Sequence, residues 1–172
     1  MFDPGPTAEV SYAAAPDGRW TLRFVRDLHH PPERVWRMLT EPGPLSRWAP
    51  FTADRDLGTP GPATLTMIDG DTAQPLAAEV LRAEPPSLLE YTWGEDLLRW
   101  ELEPAGDVTR LTLWHTLADR DFVSKVAAGW HQCVRVMELD LDGTPHPPVR
   151  GQDALNYGWA DLEAAYRKTL EL

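Results

Sequence analysis

The sequence carries a single cysteine, Cys133, among 172 residues. One thiol excludes an internal disulfide framework and any metal centre built on several thiolates. Positive charge is scarce: 16 Lys and Arg stand against 27 Asp and Glu, a formal net charge of −11. Phosphate backbones and anionic lipid are both held through concentrated basic charge, so neither nucleic acid nor a membrane surface is an expected partner. Long apolar runs are absent, which excludes a membrane-crossing helix. No basic-then-apolar leader opens the chain, and the expected location is cytoplasmic. A Gly-rich phosphate loop and a G-x-S-x-G elbow are also missing, and no cofactor is expected.

What is present is an ordinary share of hydrophobic residues, 42%, and an unusual number of tryptophans, eight. A chain of this length suits one domain that buries enough surface to fold unaided. Large indole rings can wall an apolar pocket or fill a core, and composition does not separate the two.

The longest periodic stretch runs from Asp119 to Gly143. Phe122, Val126, Trp130, Val134, Met137 and Leu141 recur in steps of three and four, the pattern of an amphipathic helix with one buried face. Asp119 can cap its start and Gly143 its end. Some twenty helical residues span about 30 Å, which only a broad sheet can cover. Seven strand-like runs supply one: Arg19–Leu28, Phe51–Leu57, Ala63–Asp69, Leu76–Ala83, Leu88–Trp93, Leu98–Glu103 and Val108–Leu117. Short turn-forming links between the later runs predict an antiparallel meander. Pro31 and Pro32 start a short helix carrying Val35, Trp36 and Leu39, and a second brief helix leads to Trp48.

The predicted organisation has three parts. Residues 1–18, rich in Pro, Gly and Ala, read as a loosely held arm. Residues 19–143 form the domain. Residues 144–172 form a Pro-rich connector and a last helix, whose stripe of Leu155, Trp159, Leu162, Tyr166 and Leu170 should dock.

The segment PPERVWRMLTEPGPLSRW, from Pro31 to Trp48, resembles the opening signature of the START-like, helix-grip superfamily, also described as birch-pollen-allergen-like or SRPBCC. EVLRAEPPSLLEYTW, TRLTLWHTL and GWHQCVRVMELDLDG then follow in the order of one branch, named for homologues of the heat-shock-protein-90 ATPase activator. The resemblance implies an α+β, helix-grip fold. A curved antiparallel sheet of about seven strands would wrap a long C-terminal helix, with two short helices after the first strand and an extra C-terminal helix. It also implies a cavity between sheet and helix that takes lipids, sterols, polyketides or other apolar molecules. Eukaryotic members of the branch carry a separate N-terminal domain that acts on the chaperone. Nothing like it precedes Arg19, so a chaperone partner is not expected.

Strand parity and helix periodicity select the candidate site residues. His115 shares a strand face with Leu111, Leu113 and Leu117, an imidazole on an otherwise apolar face. It is either a satisfied core histidine or a polar anchor that orients a ligand or takes its proton. Trp48, Trp93, Trp100 and Trp130 are core or pocket wall, with at least two expected at a cavity. Met67 and Val134 complete the candidate wall. His131, Cys133 and Asp140 do not converge at helical spacing, and no metal is expected. Trp114 lies on the outer face of its strand, inviting either the C-terminal stripe or a second copy of the chain as a homodimer partner.

The function expected is binding of a small, mostly apolar molecule between the long helix and the sheet. An enzyme on the same scaffold, of cyclase, aromatase or hydrolase type with His115 as acid–base group, is the alternative. A protein-interaction module is a third reading.

Overall fold

A computed structural model describes residues 1–172. Eight strands run β1 (Glu9–Ala14), β2 (Trp20–Leu28), β3 (Phe51–Ala53), β4 (Gly61–Asp69), β5 (Thr72–Glu84), β6 (Leu88–Trp93), β7 (Asp96–Ala105) and β8 (Val108–Leu117). Helices α1 (Pro32–Thr40) and α2 (Pro42–Ser46) follow β2, α3 (Val123–Leu141) follows β8, and α4 (Trp159–Thr169) closes the chain. All strands belong to one antiparallel sheet in the order β1-β2-β8-β7-β6-β5-β4-β3. The meander from β3 to β8 thus returns to pair with β2. A register shift between Val80 and Arg82 pushes Leu81 out of the β5 ladder, where it is exposed. Such a bulge bends its strand, and the bend helps the sheet curl around α3.

Burial follows strand parity. Leu22, His115, Leu98, Tyr91 and Val80 are directly paired across five strands and form one fully buried row. The row beside it holds Phe24, Leu113, Trp100 and Leu89. α3 lies across these rows with Ala127, Trp130, Val134 and Met137 buried. Taking such side chains out of water is the main favourable term, at about 25 cal/mol per Å².

Two departures from periodicity have local causes. Phe122 is exposed because it ends a 3₁₀ turn, Arg120–Phe122, before the α-helix begins. Leu155 is exposed because residues 151–157 are also 3₁₀, and Gly158, at φ 84°, resets the phase before α4. Leu162, Tyr166 and Leu170 remain buried, with Trp159 half-buried.

The eighth strand lies in the segment expected to be loosely held. Glu9–Ala14 pairs along its whole length with Trp20–Val25 of β2. The Pro and Gly residues ahead of it hide a short alternating run in which Val10 and Tyr12 face one side. Phe2 packs against Tyr157 and His146, and the Ala8 N–H donates to Tyr166 Oη at 2.8 Å. These partners come from the far end of the chain, which explains why local composition does not reveal them.

No helix is long and apolar enough to cross a membrane.

Candidate functional site

The space between α3 and the sheet is largely occupied by rings. Trp48 meets Trp100 edge-on at 5.7 Å, Trp100 meets Trp130 edge-on at 5.3 Å, and Trp130 meets Trp93 at 5.7 Å. Trp93 also meets Phe51, which meets Tyr91. The innermost rings satisfy their polar atoms inside this stack. Trp48 donates its indole N–H to the Met38 carbonyl at 2.7 Å, and Trp100 donates to Tyr91 Oη at 3.2 Å. Burial raises the Tyr91 phenol well above its usual pKa, so it stays protonated. Trp48, Trp100 and Val134 are therefore core residues, and the cavity does not reach them.

The opening lies to one side, on the flank of α3 facing the C-terminal connector. It is a cleft of about 220 Å³. Val126, Gly129, Trp130 and Cys133 form its helix side, and Trp93 reaches it from the end of β6. Val149, Ala154 and Trp159 form the opposite wall. Of the four candidate tryptophans, Trp93 and Trp130 border it. Met67 stands one layer back, accepting the Trp93 indole N–H on its sulfur at 3.1 Å. Trp159, Val149 and Arg150 at the cleft were not selected from sequence. Their contribution comes from the fold of the connector, and only the excess of tryptophan hinted at it.

Gly129 shapes the helix side. A Cβ built there meets nothing within 4 Å, so the glycine leaves room along the α3 face. The connector wall is fastened from several directions. Arg150 donates from Nε to the Ala49 carbonyl at 2.8 Å and from Nη2 to the Ser46 carbonyl at 2.6 Å. Gln132 donates to the carbonyls of Ala154 and Tyr157, both at 3.1 Å. The Gln152 N–H donates to Asp69 Oδ1 at 3.2 Å, and Gly151, with positive φ, sits where a side chain would strike that carboxylate. Burial pushes the Cys133 thiol up to about 12, so it lines the cleft as a neutral, unreactive group.

His115 lies behind this wall and is fully buried. The Trp130 indole N–H donates to its Nδ1 at 2.9 Å. An indole can only donate, so Nδ1 carries no hydrogen and the ring proton sits on Nε2. Nε2 then donates to Asp96 Oδ2 at 2.7 Å, and Asp96 is itself partly exposed in the β6–β7 turn. The imidazole is thus neutral, with both nitrogens engaged. It anchors Trp130 from behind and does not border the cleft.

A second buried histidine joins α3 to both ends of the chain. His131 Nε2 donates to the Pro4 carbonyl at 2.7 Å, and its Nδ1 accepts from Tyr166 Oη at 2.6 Å. Burial lowers its pKa to about 4 and raises that of Tyr166 to about 12.

The remaining sequence candidates do not converge on a site. No group of three or more His, Cys, Asp or Glu is placed to hold a metal ion. On the outer sheet face the Arg23 guanidinium lies 5.7 Å from the Trp114 ring centre. The C-terminal stripe docks elsewhere, with Tyr166 against His131 and Phe24.

Comparison with known proteins gives the same architecture. The family model described as "Activator of Hsp90 ATPase homolog 1-like protein" matches residues 29–140. The crystal structure of CalU16 from Micromonospora echinospora is similar at 18% identity and a TM-score of 0.67, over 95% of this chain and 97% of that one. A conserved protein of unknown function from Enterococcus faecalis is similar at 17% identity and a TM-score of 0.70, over 94% and 90%. A Bordetella parapertussis protein is similar at 25% identity and a TM-score of 0.66, over 99% and 96%. No curated protein matches the sequence.

Proposed function

This chain belongs to the family of activator of Hsp90 ATPase homolog 1-like proteins, and from that premise we propose that it binds a small, mostly apolar molecule in the cleft beside α3. One observation carries the reading: three half-buried or buried tryptophans, Trp93, Trp130 and Trp159, converge on a single gap that Gly129 keeps open. Small-molecule sites are concave, mainly apolar and furnished with a few polar groups, and this cleft has that make-up. At about 220 Å³ it is below the usual range of roughly 300–1,000 Å³, which favours a small ligand or one end of a longer one. Enclosing roughly 200 Å² of apolar ligand surface is worth about 5 kcal/mol before the cost of association, so affinity of about millimolar or weaker is expected for apolar contact alone.

The state of His115 favours binding over turnover. A general base must reach the proton it removes, and both His115 nitrogens are already committed to Trp130 and Asp96. Its part is to hold Trp130 in place.

Native mass spectrometry of freshly purified protein, paired with a thermal-shift screen of apolar compounds, tests the proposal. A co-purifying small molecule, or stabilisation by a subset of compounds, is the expected result. An empty protein that no compound stabilises would contradict it.

A further inference from the structure

The charged residues at the cleft are of one sign. The chain has 27 acidic residues against 16 basic ones, yet Lys125 and Arg150 border the cleft and no Asp or Glu does. Arg150 is half-buried, and its polar contacts are two neutral carbonyls, taken by Nε and Nη2. Nη1 has no partner within the protein, and no carboxylate stands beside the group. Two other partly buried arginines of α3 and β2 do have one, Glu138 lying 2.9 Å from Arg135 and 3.6 Å from Arg26, whereas half-buried Arg55, also without a carboxylate, has all three of its nitrogens taken by neutral oxygens. Lys125 also lacks an ion pair. Its ammonium rests 4.4 Å from the Phe122 ring centre, while nearby Glu163 is engaged by Ser124 and Arg167. Half-buried positive charge without a counter-ion is unfavourable, and an anion placed against it offsets that cost.

We propose that the occupant of the cleft is an apolar carboxylic acid, its body against Trp93, Trp130 and Trp159 and its carboxylate drawn to Arg150 and Lys125. The assignment rests on the cleft being a ligand site, as proposed above. Fastening the connector accounts for two arginine nitrogens and leaves the third nitrogen and the exclusion of acidic residues unexplained. A carboxylate ligand accounts for both. Charge-assisted hydrogen bonds supply the preference, and an exposed rim would weaken it with added salt.

The test compares octanoate, 1-octanol and octylamine at neutral pH by calorimetric titration of the full chain. The expected order is octanoate about tenfold or more tighter than 1-octanol, as one charge-assisted contact supplies, with octylamine weakest. Lys125→Gln should shrink the octanoate advantage, read as the ratio of octanoate to 1-octanol affinity in the same variant. Arg150→Gln should abolish it, with Arg150→Lys restoring part, provided circular dichroism shows each variant folded. The comparison of the three ligands on the unaltered chain decides the matter even if an arginine variant does not fold. Octanol binding as tightly as octanoate would overturn the acid assignment and leave the apolar cleft standing. Failure of all three to bind would count against both.

Discussion

Trp130 donates its indole N–H to His115 Nδ1 across 2.9 Å, at the centre of the interface between α3 and the sheet. This contact decides what both residues can do. It fixes the histidine tautomer, which turns the other nitrogen towards Asp96. It also holds the Trp130 ring where one side meets Trp100 and another borders the cleft. A polar residue on an apolar sheet face is thereby made part of the wall's support.

Replacing His115 with leucine should leave the buried Trp130 N–H without an acceptor, at a cost of about 1–3 kcal/mol. Denaturant unfolding of His115→Leu, Trp130→Phe and the double variant measures the coupling. The double variant should be more stable than the sum of the single losses implies, because it removes donor and acceptor together. Strict additivity would mean that the contact contributes nothing of its own.

Gly129 offers a way to close the cleft without disturbing the core. Gly129→Ala should stabilise the protein by about 0.5–1 kcal/mol, the usual helix-interior preference for alanine. Gly129→Leu should keep the fold, since a Cβ there meets no neighbour within 4 Å, and should abolish ligand-induced thermal shifts. Retained ligand binding in a folded Gly129→Leu variant would place the ligand elsewhere.

The His131 pocket makes the chain sensitive to mild acid. In the unfolded chain this group takes up a proton near pH 6.5, whereas burial holds it neutral to about 4 in the folded protein. The unfolded state therefore gains protons first as pH falls. Stability present above about pH 6.5 is lost progressively towards pH 4, by on the order of 3 kcal/mol. Denaturant midpoints across this range measure it, and His131→Gln should flatten the slope. Glu163, held below the usual carboxylate range by its Ser124 hydrogen bond, has the same sign but titrates at lower pH. An unchanged slope in His131→Gln would show that other groups set the acid limit.

Much of the fold was legible because its signals are local. Period-2 runs located seven strands, and the three-to-four spacing of Val126, Trp130, Val134 and Met137 gave α3. Strand parity correctly put His115 on the buried face with Leu111, Leu113 and Leu117. β1 was missed because it is six residues long and follows a Pro- and Gly-rich start, while the contacts that hold its neighbourhood come from Tyr166, Tyr157 and His131.

The cleft was less legible. Indole rings at Trp48, Trp100 and Trp130 fill most of the gap expected between helix and sheet, so the opening moves to the helix flank. Its outer wall is a connector with no periodicity, placed by Arg150 reaching back about a hundred residues to Ser46 and Ala49. Sequence spacing carries no trace of such a contact.

Indole N–H resonances resolved by nitrogen-15 NMR test the central claim most directly, because the eight tryptophans report separately on core and cleft. Titration with 1-octanol or octanoate should shift the Trp93, Trp130 and Trp159 signals to saturation while those of Trp48 and Trp100 hold still. Signals that do not move with any apolar compound, or that move first at Trp48 and Trp100, would contradict a ligand site beside α3.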